Sequence, residues 1–548
     1  MQIITSNELN SIENKIKVNC DRVALVLDRN KSLISAMYNC FNKQITYVPV
    51  DPSYPLSRIE KILNEAEVNT VITHERYIEK VRDANVICID ENEYVDFDVV
   101  NTKNNLSYIL FTSGSTGTPK GVEVTREGLF NFIEGISSII DFSHKKRIAC
   151  LTTVSFDIFF LESIMALYKG LTVILANEEE QRNPRFMAQL IRDNAVDMVQ
   201  MTPSRMQLLL NHDKELSCLK NVKEIMIGGE PFPLSLLHTL QEKTTAKIYN
   251  MYGPTETTIW STVSDLTCKD RIDIGRPIKN TEIYIVDGNL SMLPAGEVGE
   301  ICIAGKGLAK GYVGRDDLTK EKFIYLSQNH DVRVYRTGDV GCYLPDGNLQ
   351  YLGRTDNQVK IRGHRIELEE IETYLNQFEG INQSVVIATE KSEIDKVLEA
   401  FYTSDNHIDT KDIISYLSLK LPDYMIPVIF RRVESFIQTA NGKIDRKRVS
   451  ECVEINEENS LSKDWNTTNL NDTQAKIFQV IASNLNSEIE DVALETGFSD
   501  AGIDSITFIK IIVDLESEFD FEFDDEMLLI TAFPTIKSMI EYVETKVK

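Results

Sequence analysis

The chain of 548 residues is short of positive charge: 58 Lys and Arg stand against 84 Asp and Glu, a formal net charge of −26. Such a surface repels phosphate backbones and anionic lipid, which argues against a nucleic-acid scaffold or a polybasic membrane protein. No run of about eighteen apolar residues occurs, so no segment is expected to span a bilayer. The opening MQIITSNELNSIENK has no basic stretch followed by an apolar one, so no signal peptide is expected. The cysteines number nine, an odd count, and no two form a C-x-x-C pair. Reduced thiols in a cytoplasmic protein explain that pattern better than a disulfide framework or a zinc site. The remaining composition, 42% hydrophobic and 26% charged, is ordinary for a globular protein. The length calls for several domains.

Buried β-rich runs alternate with helical spacing between residues 101 and 263. Ser107–Thr112, Leu171–Ala176, Val196–Thr202, Lys223–Gly228 and Ala246–Met251 read as strands. Arg185–Asn194, Ser204–His212 and Leu234–Lys243 read as helices. This is α/β layering. Gly- and Pro-marked turns between Ile272 and Tyr351 predict a smaller β-rich part. Beyond Asp356 the spacing predicts a compact α+β unit with strands at Ser384–Thr389 and Leu398–Tyr402 and a helix at Lys411–Lys420. Glu451–Asn471 is polar and aperiodic, a linker. The tail Asp472–Lys548 has 17 acidic against 5 basic residues and amphipathic helical spacing. The expected divisions are 1–355, 356–450, 451–470 and 471–548.

Five segments carry candidate chemistry. Thr112-Ser113-Gly114-Ser115-Thr116-Gly117-Thr-Pro-Lys120 follows a strand; its backbone N–H groups and hydroxyls suit a phosphate tail and Lys120 adds charge. It does not have the spacing of a Walker A loop. Asn250-Met251-Tyr252-Gly253-Pro-Thr255-Glu256 offers Tyr252 as a flat face for a base and Glu256 as a hard oxygen ligand for Mg²⁺, though alone it also reads as an ordinary strand-to-turn step. Asp339, in Tyr335-Arg-Thr-Gly-Asp339, suits ribose hydroxyls, or is a turn aspartate. Asn441-Gly-Lys443-Ile-Asp-Arg446 is a lone basic cluster with Lys443 as a mobile cation. Gly502-Ile-Asp504-Ser505-Ile506 opens a helical run, with Ser505 as an N-cap or a modification point.

Together with Tyr47-Val-Pro-Val-Asp-Pro-Ser-Tyr-Pro55, Gly299-Glu-Ile-Cys-Ile-Ala-Gly305, Gly311-Tyr312 and Gly353-Arg354-Thr-Asp356, these motifs make most of residues 1–450 resemble the adenylation domains of nonribosomal peptide synthetases, in the adenylate-forming superfamily. Residues 471–548 resemble a peptidyl carrier domain. The resemblance implies an α/β adenylate-forming fold with a large N-terminal core, a small mobile C-terminal α+β subdomain and an all-α four-helix carrier. It also implies an N-terminal lobe shorter than in relatives.

By the same resemblance, ATP and Mg²⁺ are used to turn an amino acid into aminoacyl-AMP, which is then loaded as a thioester on 4′-phosphopantetheine attached to Ser505. Lys443, Thr112 and Glu256 take catalytic roles, with Glu256 holding Mg²⁺. Ser113, Gly114, Ser115, Thr116, Gly117, Lys120, Gly228, Gly229, Glu230, Asn250, Met251, Tyr252, Gly253, Thr255, Asp339 and Arg354 surround the nucleotide. Asp356 is the hinge. The amino-acid pocket maps to Asp157, Ile158, Leu161, Gln200, Met226, Gly228, Met251, Ile259, Trp260 and Lys443. Asp157 favours an amino acid over an acyl or aryl acid, because a buried unpaired carboxylate is costly. The large apolar residues favour glycine, with alanine the nearest competitor. An inactive scaffold is the reading from another class, and it expects loss of Lys443, Glu256 or the phosphate loop, all of which are present. Expected partners are a phosphopantetheinyl transferase and a downstream condensation, tailoring or transfer enzyme, with no nucleic acid and no membrane.

Overall fold

The computed structural model describes residues 2–10, 15–90, 93–99, 105–114, 117–326, 332–391, 396–439, 444–455 and 471–485. Of the remainder it describes 494, 497–498, 503, 505–519, 521, 523–524, 527 and 532–547. Two sheets dominate the first compact unit. One has six strands in the order Asn85–Cys88, Thr70–Thr73, Arg22–Val26, Thr46–Val50, Leu106–Thr112, Lys120–Thr125. The other has eight, in the order Gln2–Ile4, Thr172–Leu175, Arg147–Cys150, Met198–Met201, Glu224–Gly228, Lys247–Tyr252, Thr262–Asp265, Arg276–Pro277.

The centre of the eight-stranded sheet is parallel, with Met226 beside Gln200 and Tyr249, and Gly228 beside Met251. These strands are buried along their whole length, which is why their sequences read as unbroken apolar runs. The connecting helices start where the sequence supplies caps. Thr202 accepts from Arg205 N with Pro203 in the first turn, and Asn183 accepts from Arg185 N with Pro184 in the first turn. A five-stranded antiparallel sheet follows, built from Thr281–Val286, Gly299–Gly305, Arg333–Tyr343, Phe323–Tyr325 and Leu349–Arg354.

The helix starting at Ile158 widens to a single π turn over Leu161–Met165. Within that turn the buried carboxylate of Glu162 accepts from the amides of Leu151 and Thr152, each at 2.8 Å. Those bonds tie the loop before Asp157 to its own helix, so the backbone that presents Asp157 is held from both sides.

Contacts divide the chain into two compact units. The first is 1–373 with 390–396 and 418–424; the second is 374–389, 397–417 and 425–548. Residues 356–373, which the sequence assigns to the small subdomain, therefore belong to the first unit. In the second, strands Gln383–Glu390, Lys396–Thr403 and Ile429–Arg432 form a three-stranded sheet. Helices Asp472–Leu485, Ser505–Phe519 and Ile536–Val547 enclose an apolar core of their own, with Ile477, Phe508, Ile511, Leu515 and Met539 buried.

Candidate active site

The carboxyl ends of the parallel strands and the loops that follow them surround one cleft. Its interior space is about 80 Å³. Tyr252, Gly253, Thr255, Asp339 and Arg354 form one part of its wall; Thr112, Ser113, Asp157, Ile158 and Trp260 form another. Thus five segments spread over more than 200 residues of sequence meet around one space. An open α/β sheet binds ligands at this end, where adjacent crossovers diverge.

Asp339 lies in the wall of the cleft. It accepts from the Tyr252 hydroxyl at 2.6 Å and from Arg354 Nη1 at 2.6 Å. Arg354 in turn holds Asp356 through Nε at 2.6 Å and Nη2 at 2.7 Å. A carboxylate has about four lone-pair sites, so Asp339 keeps acceptor capacity for hydroxyl donors. Asn250 is buried, and its side-chain amide donates to the carbonyl of Asp273 at 2.9 Å. Gly229 adopts φ +90°, which suits glycine. Glu230 accepts from Ser204 N at 3.0 Å and from the amide of Gly363.

Glu256 is fully buried. Tyr312 donates to one of its oxygens at 2.8 Å, and Arg365 Nη1 lies 2.8 Å from the other. Burial pushes its carboxyl up, but Arg365 and Lys120 outweigh that and hold it at about 2. An ionised, hard-oxygen donor of this kind fits a magnesium ion, with Arg365 as the cation now paired to it.

Asp157 is 8% exposed and its Oδ2 has no hydrogen-bond partner among the described atoms. Burial pushes its carboxyl up to about 6, against the opposing pull of Thr255. Next to it, Trp260 is 2% exposed and its Nε1 is likewise unpartnered. Of the predicted amino-acid pocket, Asp157, Ile158 and Trp260 line the cleft. Leu161, Met226, Met251 and Ile259 belong to the apolar core that includes Trp260. A Cβ on Gly228 would fall 2.6 Å from the Met251 carbonyl and 2.8 Å from Trp260 Cη2, so the indole packs directly on that strand. Gln200 is buried, donating to the Met201 carbonyl at 3.3 Å with its Oε1 unpartnered.

Several wall residues were not singled out from the sequence: Tyr54, Lys360, His364, Arg365 and Tyr424. The His364 ring stacks on Tyr424 with centroids 3.7 Å apart and meets Phe156 edge-on at 4.9 Å. Burial, with Arg205 and Arg362 nearby, lowers its pKa to about 3, so the ring is neutral. His364 and Arg365 lie just beyond the Gly353–Asp356 motif and Tyr54 inside the Tyr47–Pro55 motif, so their places near those motifs were a usable signal; Tyr424 carried none. Ser115, Thr116 and Lys443 lie outside the described residues, as does the side chain of Ser505, whose backbone opens the helix to Phe519.

A cleft at the ends of parallel strands, with an ionised magnesium-type ligand beside it and a carboxylate oxygen left unpartnered, suits an adenylate-forming enzyme. Comparison with known proteins agrees. Residues 16–313 match the family described as AMP-binding enzyme, and residues 475–543 match the phosphopantetheine attachment site. The chain belongs to the AMP-binding enzymes and carries a carrier domain of the nonribosomal peptide synthetase type. It is 37% identical over 440 residues to a dimodular nonribosomal peptide synthase of Bacillus subtilis, covering 78% of this chain and 18% of that protein. The chain spans between 8% and 18% of the length of the first curated relatives it matches. Among solved structures it resembles holo-PA1221, an NRPS protein containing adenylation and PCP domains, with a TM-score of 0.77, 21% identity, and coverage of 99% and 90% of the two chains. It also resembles holo-AB3403, a four-domain synthetase bound to AMP and glycine, with a TM-score of 0.57, 28% identity, and coverage of 99% and 40%. Among the described residues no helix is long and apolar enough to cross a membrane.

Proposed function

We propose that this chain activates glycine with ATP and loads it on its own carrier domain. The observation that carries the reading is Asp157: a buried carboxylate with an unpartnered oxygen at the cleft, whose wall also includes the buried Trp260. An α-ammonium would satisfy that oxygen, whereas an acyl or aryl acid would leave it unpaired. Trp260, packed on Gly228, leaves little room for a side chain, and close packing penalises each added methylene by about 1–3 kcal/mol. The glycine bound in the 28%-identical synthetase supports the same substrate.

In the first half-reaction the substrate carboxylate attacks the α-phosphorus of ATP and pyrophosphate leaves. Catalysis of such a step is positioning and charge stabilisation. Asp157 orients the ammonium, Asp339 and Tyr252 the nucleoside, and the 112–120 loop and Lys120 the phosphates. Lys443 brings positive charge to the junction of carboxylate and phosphate. A magnesium ion on Glu256 would neutralise phosphate charge. In the second half-reaction, the segment after Asp356 replaces Lys443 at the cleft, and the pantetheine arm on Ser505 supplies the thiol that accepts the aminoacyl group. A phosphopantetheinyl transferase installs that arm, and a downstream enzyme takes the loaded group.

ATP–pyrophosphate exchange over twenty amino acids tests the reading. Glycine is expected to give the highest kcat/KM; a higher value for alanine or any larger residue overturns the assignment of glycine, and no exchange with any of them overturns the activity.

A further inference from the structure

The phosphate loop already has anionic partners. Gly114 N donates to Glu370 Oε2 at 2.9 Å, and Lys120 Nζ donates to Glu367 Oε1 at 3.0 Å. Ser113 Oγ donates to the carbonyl of Arg365 at 2.8 Å and accepts from Glu367 N at 3.2 Å. The second oxygen of Glu370, a fully buried side chain, pairs with Arg58, which is 3% exposed. The loop and the helix beginning at Leu368 also touch: a Cβ on Gly117 would lie 2.9 Å from Thr373 Cγ2.

Gly114 N–H and the Lys120 ammonium are the donors that a β- or γ-phosphate would use, and here two carboxylates hold them. A phosphate oxygen and a carboxylate oxygen are alternative acceptors for the same donors. In a site screened from water, the two anions also repel each other strongly. Elsewhere in the wall the situation differs, because Asp339 keeps lone pairs free for hydroxyls. The arrangement therefore leaves acceptor sites open at Asp339 while the donors of the loop are taken.

Resting on the adenylation reading above, we propose that Glu367 and Glu370 are the specificity determinants that exclude pyrophosphate. They take over the loop's donors when the leaving group departs, so the adenylate stays bound and cannot be reversed by pyrophosphate while the carrier is loaded. Coupling of this kind is reciprocal: pyrophosphate binding must displace the two carboxylates, and the carboxylates must weaken pyrophosphate binding by the same factor.

The test is calorimetric titration of pyrophosphate into the full chain with Mg²⁺ and AMP present, comparing wild type with Glu367→Gln and with Glu370→Gln. Glutamine keeps the volume and removes the charge. Pyrophosphate is expected to bind at least tenfold more tightly to Glu367→Gln, and its inhibition of carrier loading is expected to strengthen in parallel. Non-specific damage lowers affinity and does not tighten it. Because Glu370→Gln strips the buried Arg58 of its charge partner, an Arg58→Met/Glu370→Gln double variant accompanies it. Unchanged or weaker pyrophosphate affinity in folded Glu367→Gln overturns the proposal. Absence of wild-type exchange with every amino acid overturns the adenylation reading instead, and the titration reads independently of turnover.

Discussion

Arg365 places its guanidinium 2.8 Å from the carboxylate of Glu256, the residue whose chemistry suits a magnesium ion. The pair joins the segment after Asp356 to the loop after the Lys247–Tyr252 strand, so a cation from that segment stands on the expected metal ligand. The metal and the guanidinium are alternatives at that oxygen.

Removing Arg365 leaves Glu256 buried without its principal cation. Breaking one partner of such a pair costs about 3–5 kcal/mol. Arg365→Ala is expected to lower the melting temperature, and Mg²⁺ is expected to raise it more in the variant than in wild type. The carboxyl sits at about 2, below its ordinary value of 4.5. Its contribution to stability is therefore complete above pH 4.5 and fades as pH falls towards 2; the variant loses that acid dependence. Equal magnesium effects on both proteins would refute the competition.

Asp157 is expected to set a pH limit on substrate binding. Its carboxyl is raised from 3.8 to about 6, so it takes up a proton as pH falls through 6 and no longer pairs with an ammonium. The expected kcat/KM for the amino acid is level above about pH 7 and falls about tenfold per unit below pH 6. Asp157→Asn is expected to be slow at every pH and to lose this limb. Exchange rates from pH 5 to 8 decide it.

Among the described residues Trp260 is the largest fully buried side chain. Trp260→Ser is expected to cost about 3–5 kcal/mol in denaturant unfolding, through the cavity it leaves. It is also expected to move the preference from glycine towards larger amino acids. A variant that keeps the same substrate order places the specificity in another wall.

Ser505→Ala is expected to leave pyrophosphate exchange unchanged and abolish covalent loading, read by intact mass after incubation with a phosphopantetheinyl transferase. An arm found on a different serine would refute the assignment.

Lys443→Ala is expected to slow adenylation by several orders of magnitude and spare transfer from preformed aminoacyl-AMP, because its charge is needed only where carboxylate meets phosphate. Single-turnover rates for each half-reaction separate the two. Equal losses would count against an exchange of Lys443 for the Gly363 segment.

Much of the fold was legible because its signals are local. Leu234–Lys243 and the strand Leu106–Thr112 follow from apolar spacing within one window, and Thr202-Pro203 and Asn183-Pro184 mark helix starts by backbone chemistry alone. The motifs carrying Thr112, Glu256 and Asp339 were legible for the same reason: each is a short run in which glycine, hydroxyl and acidic residues sit at close sequence spacing. Asn250 shows what spacing leaves open, since residue type alone does not say that its amide donates to the carbonyl of Asp273.

The sequence by itself determined the α/β layering, the acidic helical tail, the family resemblance and which residue types could perform the chemistry, because these depend on order and neighbours along the chain. Only the tertiary structure decided which groups are already paired. Glu367 with Lys120, Glu370 with Gly114 and Arg58, Arg365 with Glu256, and His364 against Tyr424 all join residues far apart in sequence. No local pattern encodes such a pairing: it follows from where the sheets bring their loops together, and burial there turns a solvated charge into one that must have a partner.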